Sequence, residues 1–116
     1  MKFFLLIACA FTGLTLSAQT TTTSFKVSGN CGMCKKHIEK AAAIDGVSKA
    51  VWNKDSKKLL LTYDATKTSV DLVQHNIAAA GYDTEKYRGD DKAYKELDEC
   101  CQYERKKTDL PKPIKH

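Results

Sequence analysis

The sequence predicts an α+β sandwich in which a four-stranded antiparallel sheet carries two helices on one face. Three observations lead there. Two segments, from Cys34 and from Ser69, place apolar residues at helical spacing. Short alternating segments flank each of them. Glycines close the helical stretches at Gly46 and Gly81. The resulting order is βαββαβ over residues 24–88, followed by an appended C-terminal helix.

The 116-residue chain opens "MKFFLLIACAFTGLTLSAQ". Lys2 precedes an apolar run, and Ser17-Ala18 are small residues before Gln19. This is the layout of an export signal (residues 1–18) cleaved after Ala18, and the run is too short to remain as a membrane span. "LIAC" would allow lipid anchoring at Cys9, but it leaves a short apolar segment for export. The expected location is therefore the periplasm or another exported compartment, with no stable membrane insertion after cleavage.

Residues 19–23, rich in Thr, read as a spacer. In "SFKVS", Phe25 and Val27 alternate with polar residues and make a first strand, which Gly29-Asn30 ends. Cys34, Ile38, Ala41 and Ala42 then share one helix face, with Asp45-Gly46 as its stop. "VSKAVWNKDSKKLLLTYD" is a hairpin: Ala50 and Trp52 share a face, as do Leu59, Leu61 and Tyr63, around the turn "NKDSK". Thr68 or Ser69 caps a second helix that buries Val70, Val73, Ile77 and Ala80. "YDTEKYR" is a charged edge strand. Residues 89–106, with Tyr94, Leu97 and Cys101 at helical spacing, make the appended helix, and 107–116 a disordered tail.

Net charge is +5 and the lysines are dispersed, which argues for solubility and against a nucleic-acid footprint. An RNA-binding sheet would also need stacked aromatics on its central strands, which "SFKVS" and "KKLLLTY" do not clearly offer.

The chemistry concentrates in "SGNCGMCKKHIEKAAA", where Cys31 and Cys34 stand at the start of a helix. There the exposed N–H groups and positive dipole end favour thiolates, and two thiolates suit a soft ion such as Cu(I) or Hg(II). Structural Zn(II) would want four ligands. A thioredoxin-like dithiol is the rival. However, the only prolines, Pro111 and Pro113, lie in the tail, and no Trp precedes Cys31. A purely structural Cys31–Cys34 disulfide closes too short a loop to stabilise much. Cys100 and Cys101 are adjacent, which disfavours a bridge between them. They are candidates for additional sulfur ligands, for a disulfide to Cys31 or Cys34, or for a site shared across a metal-bridged dimer. Met33 and His37 are further candidate ligands, although Ile38 takes the core face and turns His37 toward solvent. His75 and His116 are not credible ligands on their own.

A CxxC between a first strand and first helix of a ferredoxin-like βαββαβ chain resembles the heavy-metal-associated (HMA) domain. The resemblance rests on "FKVSGNCGMCKKHIEKA", on Tyr63-Asp64 and on "AAAGYD". That family includes copper chaperones, periplasmic mercuric-ion binding proteins and N-terminal modules of copper-pumping ATPases. The resemblance implies a non-enzymatic protein that sequesters soft ions or passes them to a metal-transporting or metal-accepting partner. Cu(I) is the first expectation, with Hg(II) or Zn(II) as alternatives. It implies that Cys31 and Cys34 hold the ion and that Tyr82 shields the thiolates. Lys35, Lys36 and Lys40 beside the loop would favour an acidic docking face on the partner. The other reading is a thiol–disulfide protein using Cys31/Cys34 against Cys100/Cys101. Family members commonly carry an inward Met two residues before the first cysteine. Here that position is Gly29.

Overall fold

A computed structural model describes residues 19–114. The segment read as an export signal, Cys9 within it and His116 lie outside the described residues. The elements are β1 (Thr20–Lys26), α1 (Gly32–Ala42), β2 (Val47–Trp52), β3 (Lys58–Asp64), α2 (Val70–Ala79), a short α3 (Asp91–Lys95) and a 3₁₀ turn (Glu99–Cys101). No helix among the described residues is long and apolar enough to cross a membrane.

Strand β3 is central, antiparallel to β1 on one side and β2 on the other. Phe25 and Trp52 both pair with Leu59, so three large apolar side chains meet at one level of the sheet. The alternation continues at Leu61, and Phe25, Trp52, Leu59 and Leu61 are all buried. Helices α1 and α2 close the core with Cys34, Ile38 and Ala42 and with Val73 and Ile77.

The residues read as a Thr-rich spacer belong to β1. Thr20 pairs with Asp64 and Thr22 with Thr62, whose hydroxyls lie 3.0 Å apart. Threonine is β-branched, so the run is a good strand even though both faces are polar. Helix α1 ends at Ala42, earlier than expected, and Gly46 (φ +93°) serves the turn into β2. Helix α2 begins as expected, with Ser69 Oγ accepting the Leu72 N–H.

The fourth strand is the main departure. "YDTEKYR" contributes one antiparallel bridge, Val27 to Thr84, and the sheet among the described residues has three strands. Local side chains divert the chain. Thr84 Oγ1 accepts the Tyr87 N–H at 3.0 Å and folds residues 84–87 into a turn. Glu85 Oε1 then takes the Lys26 N–H that a longer strand would have paired.

The appended helix is likewise shorter than expected. Asp90 is the N-cap of α3, its carboxylate accepting the Ala93 N–H, and the helix stops at Lys95. The Gln102 side-chain amide donates to the carbonyls of Lys95 and Leu97, which satisfies the helix end before the 3₁₀ turn. Nor is the tail loose over the described residues. Arg88 N–H bonds Pro111 O at 2.9 Å, Lys112 Nζ meets Asp91 at 2.7 Å, and the Ile114 N–H reaches His75 Nε2 at 3.0 Å.

Candidate metal centre

Cys31 is the N-cap of α1, in extended backbone (φ −138°, ψ 176°), and its side chain makes no capping bond. Its sulfur is therefore left for other partners. Cys34 lies in the first turn and is fully buried, and the Asn30 N–H approaches its Sγ at 3.4 Å. The two sulfurs are 3.4 Å apart. All four described cysteines are free thiols.

A tryptophan sets the loop. Trp52 lies under Gly29, and a Cβ at that position would sit 2.9 Å from the indole ring. No methionine could turn inward there, which explains the sequence departure: the indole fills that space. Trp52 Nε1 donates to Val27 O at 2.9 Å, and Lys57 Nζ donates to Gly29 O at 2.6 Å while lying over the indole ring. The strand end of the loop is thus held from β2 and the hairpin turn.

The C-terminal segment places two more sulfurs here. Cys31 Sγ lies 3.0 Å from Cys100 Sγ and 3.8 Å from Cys101 Sγ, and Cys100 and Cys101 are 3.9 Å apart. The sulfurs of Cys31, Cys34 and Cys101 all fall within 4.8 Å of one another. Cys101 is fully buried, whereas Cys100 is exposed. The neighbouring Cys100 thiol and then the Cys34 N–H stabilise the Cys31 thiolate and bring its pKa down to about 6. Burial pushes the Cys101 thiol up, and the Cys31 sulfur pushes Cys100 up. At neutral pH Cys31 is favoured as the thiolate while Cys100 and Cys101 keep their protons, so a metal that takes those sulfurs must displace protons.

Tyr82 is buried, with its hydroxyl 3.2 Å from His37 Nδ1. Burial and then contact with Cys101 push its pKa upward, so it stays a neutral phenol. His37 is half-buried and turned to that hydroxyl rather than to open solvent. Met33 is 46% exposed. Among the expected docking lysines, Lys35 is already engaged, bonding Glu39 at 2.7 Å and Trp52 O at 2.9 Å. Lys36 and Lys40 are exposed.

Sequence reasoning missed what pins the cysteine pair in place. Tyr103 stacks on Tyr82, donates to Gly81 O at 2.9 Å and accepts the Asp83 N–H at 2.8 Å. Arg105 bonds Asp91, Asp83 and Gly89 O and lies over the Tyr94 ring. Gly81 (φ +105°) permits the approach, since a Cβ there would meet the Tyr94 backbone at 2.8 Å. The signal was present as "CCQYER", an aromatic and an arginine just after the cysteines, but nothing local says where they reach.

The model of the heavy-metal-associated domain matches residues 24–83. The chain belongs to the HMA domain family. Among solved structures it is similar to the CopZ metallochaperone (33% identity, 55% of this chain and 98% of that one, TM-score 0.53). It is also similar to oxidized MerP from Ralstonia metallidurans CH34 (32% identity, 57% and 94%, TM-score 0.54). A third is the N-terminal domain of a potential copper-translocating P-type ATPase from Bacillus subtilis in the Cu(I)-loaded state (27% identity, 56% and 84%, TM-score 0.53). No curated protein matches the chain. The HMA match ends at Asp83, so Cys100 and Cys101 fall outside it.

Proposed function

We propose that this HMA protein binds a soft metal ion, Cu(I) first, through the thiolates of Cys31 and Cys34, and works in an exported compartment. Hg(II) and Zn(II) are the alternatives. The observation that carries this reading is the free pair of sulfurs 3.4 Å apart at the head of α1, with Cys31 already favoured as thiolate. The likeness to a metallochaperone and to a Cu(I)-loaded ATPase domain supports copper. Export rests on the leader pattern of residues 1–18.

The work is sequestration or transfer by ligand exchange, with a metal-transporting protein as the receiving partner. Tyr82 shields the sulfurs and, with His37, keeps a neutral hydrogen-bonding wall beside them. Native mass spectrometry of the reduced chain mixed with Cu(I), Hg(II) and Zn(II) in turn tests this. One ion bound per chain, lost in Cys31→Ser, is expected; equal loading of Cys31→Ser would refute it.

One observation favours a thiol–disulfide reading: Cys31 Sγ and Cys100 Sγ are 3.0 Å apart, close enough for oxidation to join them. Reduction of insulin disulfides by the reduced chain, at rates above free dithiol, would bring that reading forward.

A further inference from the structure

Two sulfurs satisfy the reading above, yet the structure brings three into one place and a fourth to its mouth. The spacing is compact. With metal–sulfur bonds of about 2.3 Å, a linear two-thiolate site separates its sulfurs by about 4.6 Å, whereas trigonal and tetrahedral sites separate theirs by about 4.0 and 3.8 Å. Here Cys31 and Cys34 are 3.4 Å apart, and Cys31 and Cys101 3.8 Å. Neither pair is spread to the linear separation, and the sulfurs of Cys31, Cys34 and Cys101 all lie within 4.8 Å of one another, so a third sulfur stands within reach of an ion held by the first two.

Cys101 is also built in rather than passing by. Its N–H bonds Asp98 O at 2.7 Å within the 3₁₀ turn, and its side chain is fully buried in the same core as Cys34 and Tyr82. Two residues on, Tyr103 is held by Gly81, Asp83 and the Tyr82 ring. Tyr94 Oη donates to Tyr103 O at 2.5 Å, and Arg105 ties the following stretch to Asp83 and Asp91. A sulfur held this firmly is preorganised, so little ordering entropy opposes a third bond. Cys100, by contrast, is exposed and touches Cys31 from the solvent side.

We propose that Cys31, Cys34 and Cys101 form a three-thiolate centre for a soft ion, and that Cys100 is the exchange sulfur by which the ion enters and leaves. The proposal rests on the metal-binding reading and deepens it. Entry proceeds by substitution alone. The Cys100 sulfur forms a bond to the ion as one carrier ligand departs, and its proton passes to that ligand or to water. Cys31 and Cys34 displace the remaining carrier ligands. Cys101 then takes the place of Cys100, and the proton that leaves the Cys101 sulfur returns to the departing Cys100 sulfur. The ion keeps its oxidation state throughout. Exit runs the same steps backward: Cys100 takes the place of Cys101, and a sulfur of the receiving partner then displaces Cys31 and Cys34.

The test is X-ray absorption on the full reduced chain carrying one equivalent of Cu(I), with release to a competing chelator followed alongside. Three sulfurs around copper are expected in the unmodified chain and two, at shorter distance, in Cys101→Ser. Release is expected to slow about tenfold or more in Cys100→Ser. Two sulfurs in the unmodified chain would overturn the third ligand and leave the Cys31/Cys34 site standing; this count needs no variant to fold. Unchanged release in Cys100→Ser would overturn the exchange role. Failure of every form to bind Cu(I) would overturn the metal-binding reading itself.

Discussion

The body of the domain and its C-terminal segment reach the same place by different means. From β1 to α2 the chain is held by repeating features: paired strands, buried helix faces and a capped helix start. From Asp90 to Arg105 it is held by individual side chains, chiefly Tyr94, Tyr103 and Arg105. The first kind of order forms a fold; the second attaches a piece of chain to a site already made. The difference explains why the loop of Cys31 and Cys34 is framed by the sheet, while Cys100 and Cys101 depend on a few pins.

Substitutions on the two sides should separate these regions. The largest effect is expected at Trp52, which supports the metal loop from within the core. Trp52→Ala should cost about 3–5 kcal/mol in urea unfolding and disorder the loop, since the site cannot collapse around so large a gap. Arg105→Ala should cost less, about 2 kcal/mol, because it strands the largely buried Asp83 carboxylate. Its signature is local: hydrogen exchange should rise across residues 98–105 while α1 and the sheet stay protected. Uniform deprotection of the whole domain would erase the distinction between the two regions.

That distinction also marks what the sequence could disclose. Periodicity carries the βαββα body, because Phe25, Leu59, Ile38 and Ile77 sit on faces that only one arrangement buries together. The CxxC was legible for the same local reason, being a loop and a helix start in adjacent residues. The fourth strand was not, since Thr84 and Glu85 divert it through side-chain bonds that no alternation pattern reveals. The helical spacing of Tyr94, Leu97 and Cys101 does match residues that pack on the core, but a short helix and a 3₁₀ turn, not a single helix, join them. Contacts from Arg105 back to Asp83 span a distance in sequence that composition cannot encode.

Two smaller effects sharpen the picture at the site. Tyr82→Phe removes the hydroxyl facing His37 and should change stability by no more than about 1 kcal/mol, while loosening metal retention severalfold in a chelator competition. The pH dependence follows from Cys31. Its thiolate is the nucleophile and its pKa is lowered to about 6, so alkylation of Cys31 should be near its plateau at pH 7 and fall as pH drops through about 6. Cys101, pushed upward and buried, should stay unmodified in that range. Equal labelling of Cys31 and Cys101 at pH 7, read by peptide mass mapping, would contradict the charge distribution.

The central claim is that Cys31 and Cys34 bind a soft ion, and an anaerobic Cu(I) titration of the reduced chain against a chromogenic chelator tests it most directly. The chain should withdraw one copper from the chelator, and Cys31→Ser should leave that copper with the chelator. If the unmodified chain fails to compete, or Cys31→Ser competes equally well, the metal site is not the one described.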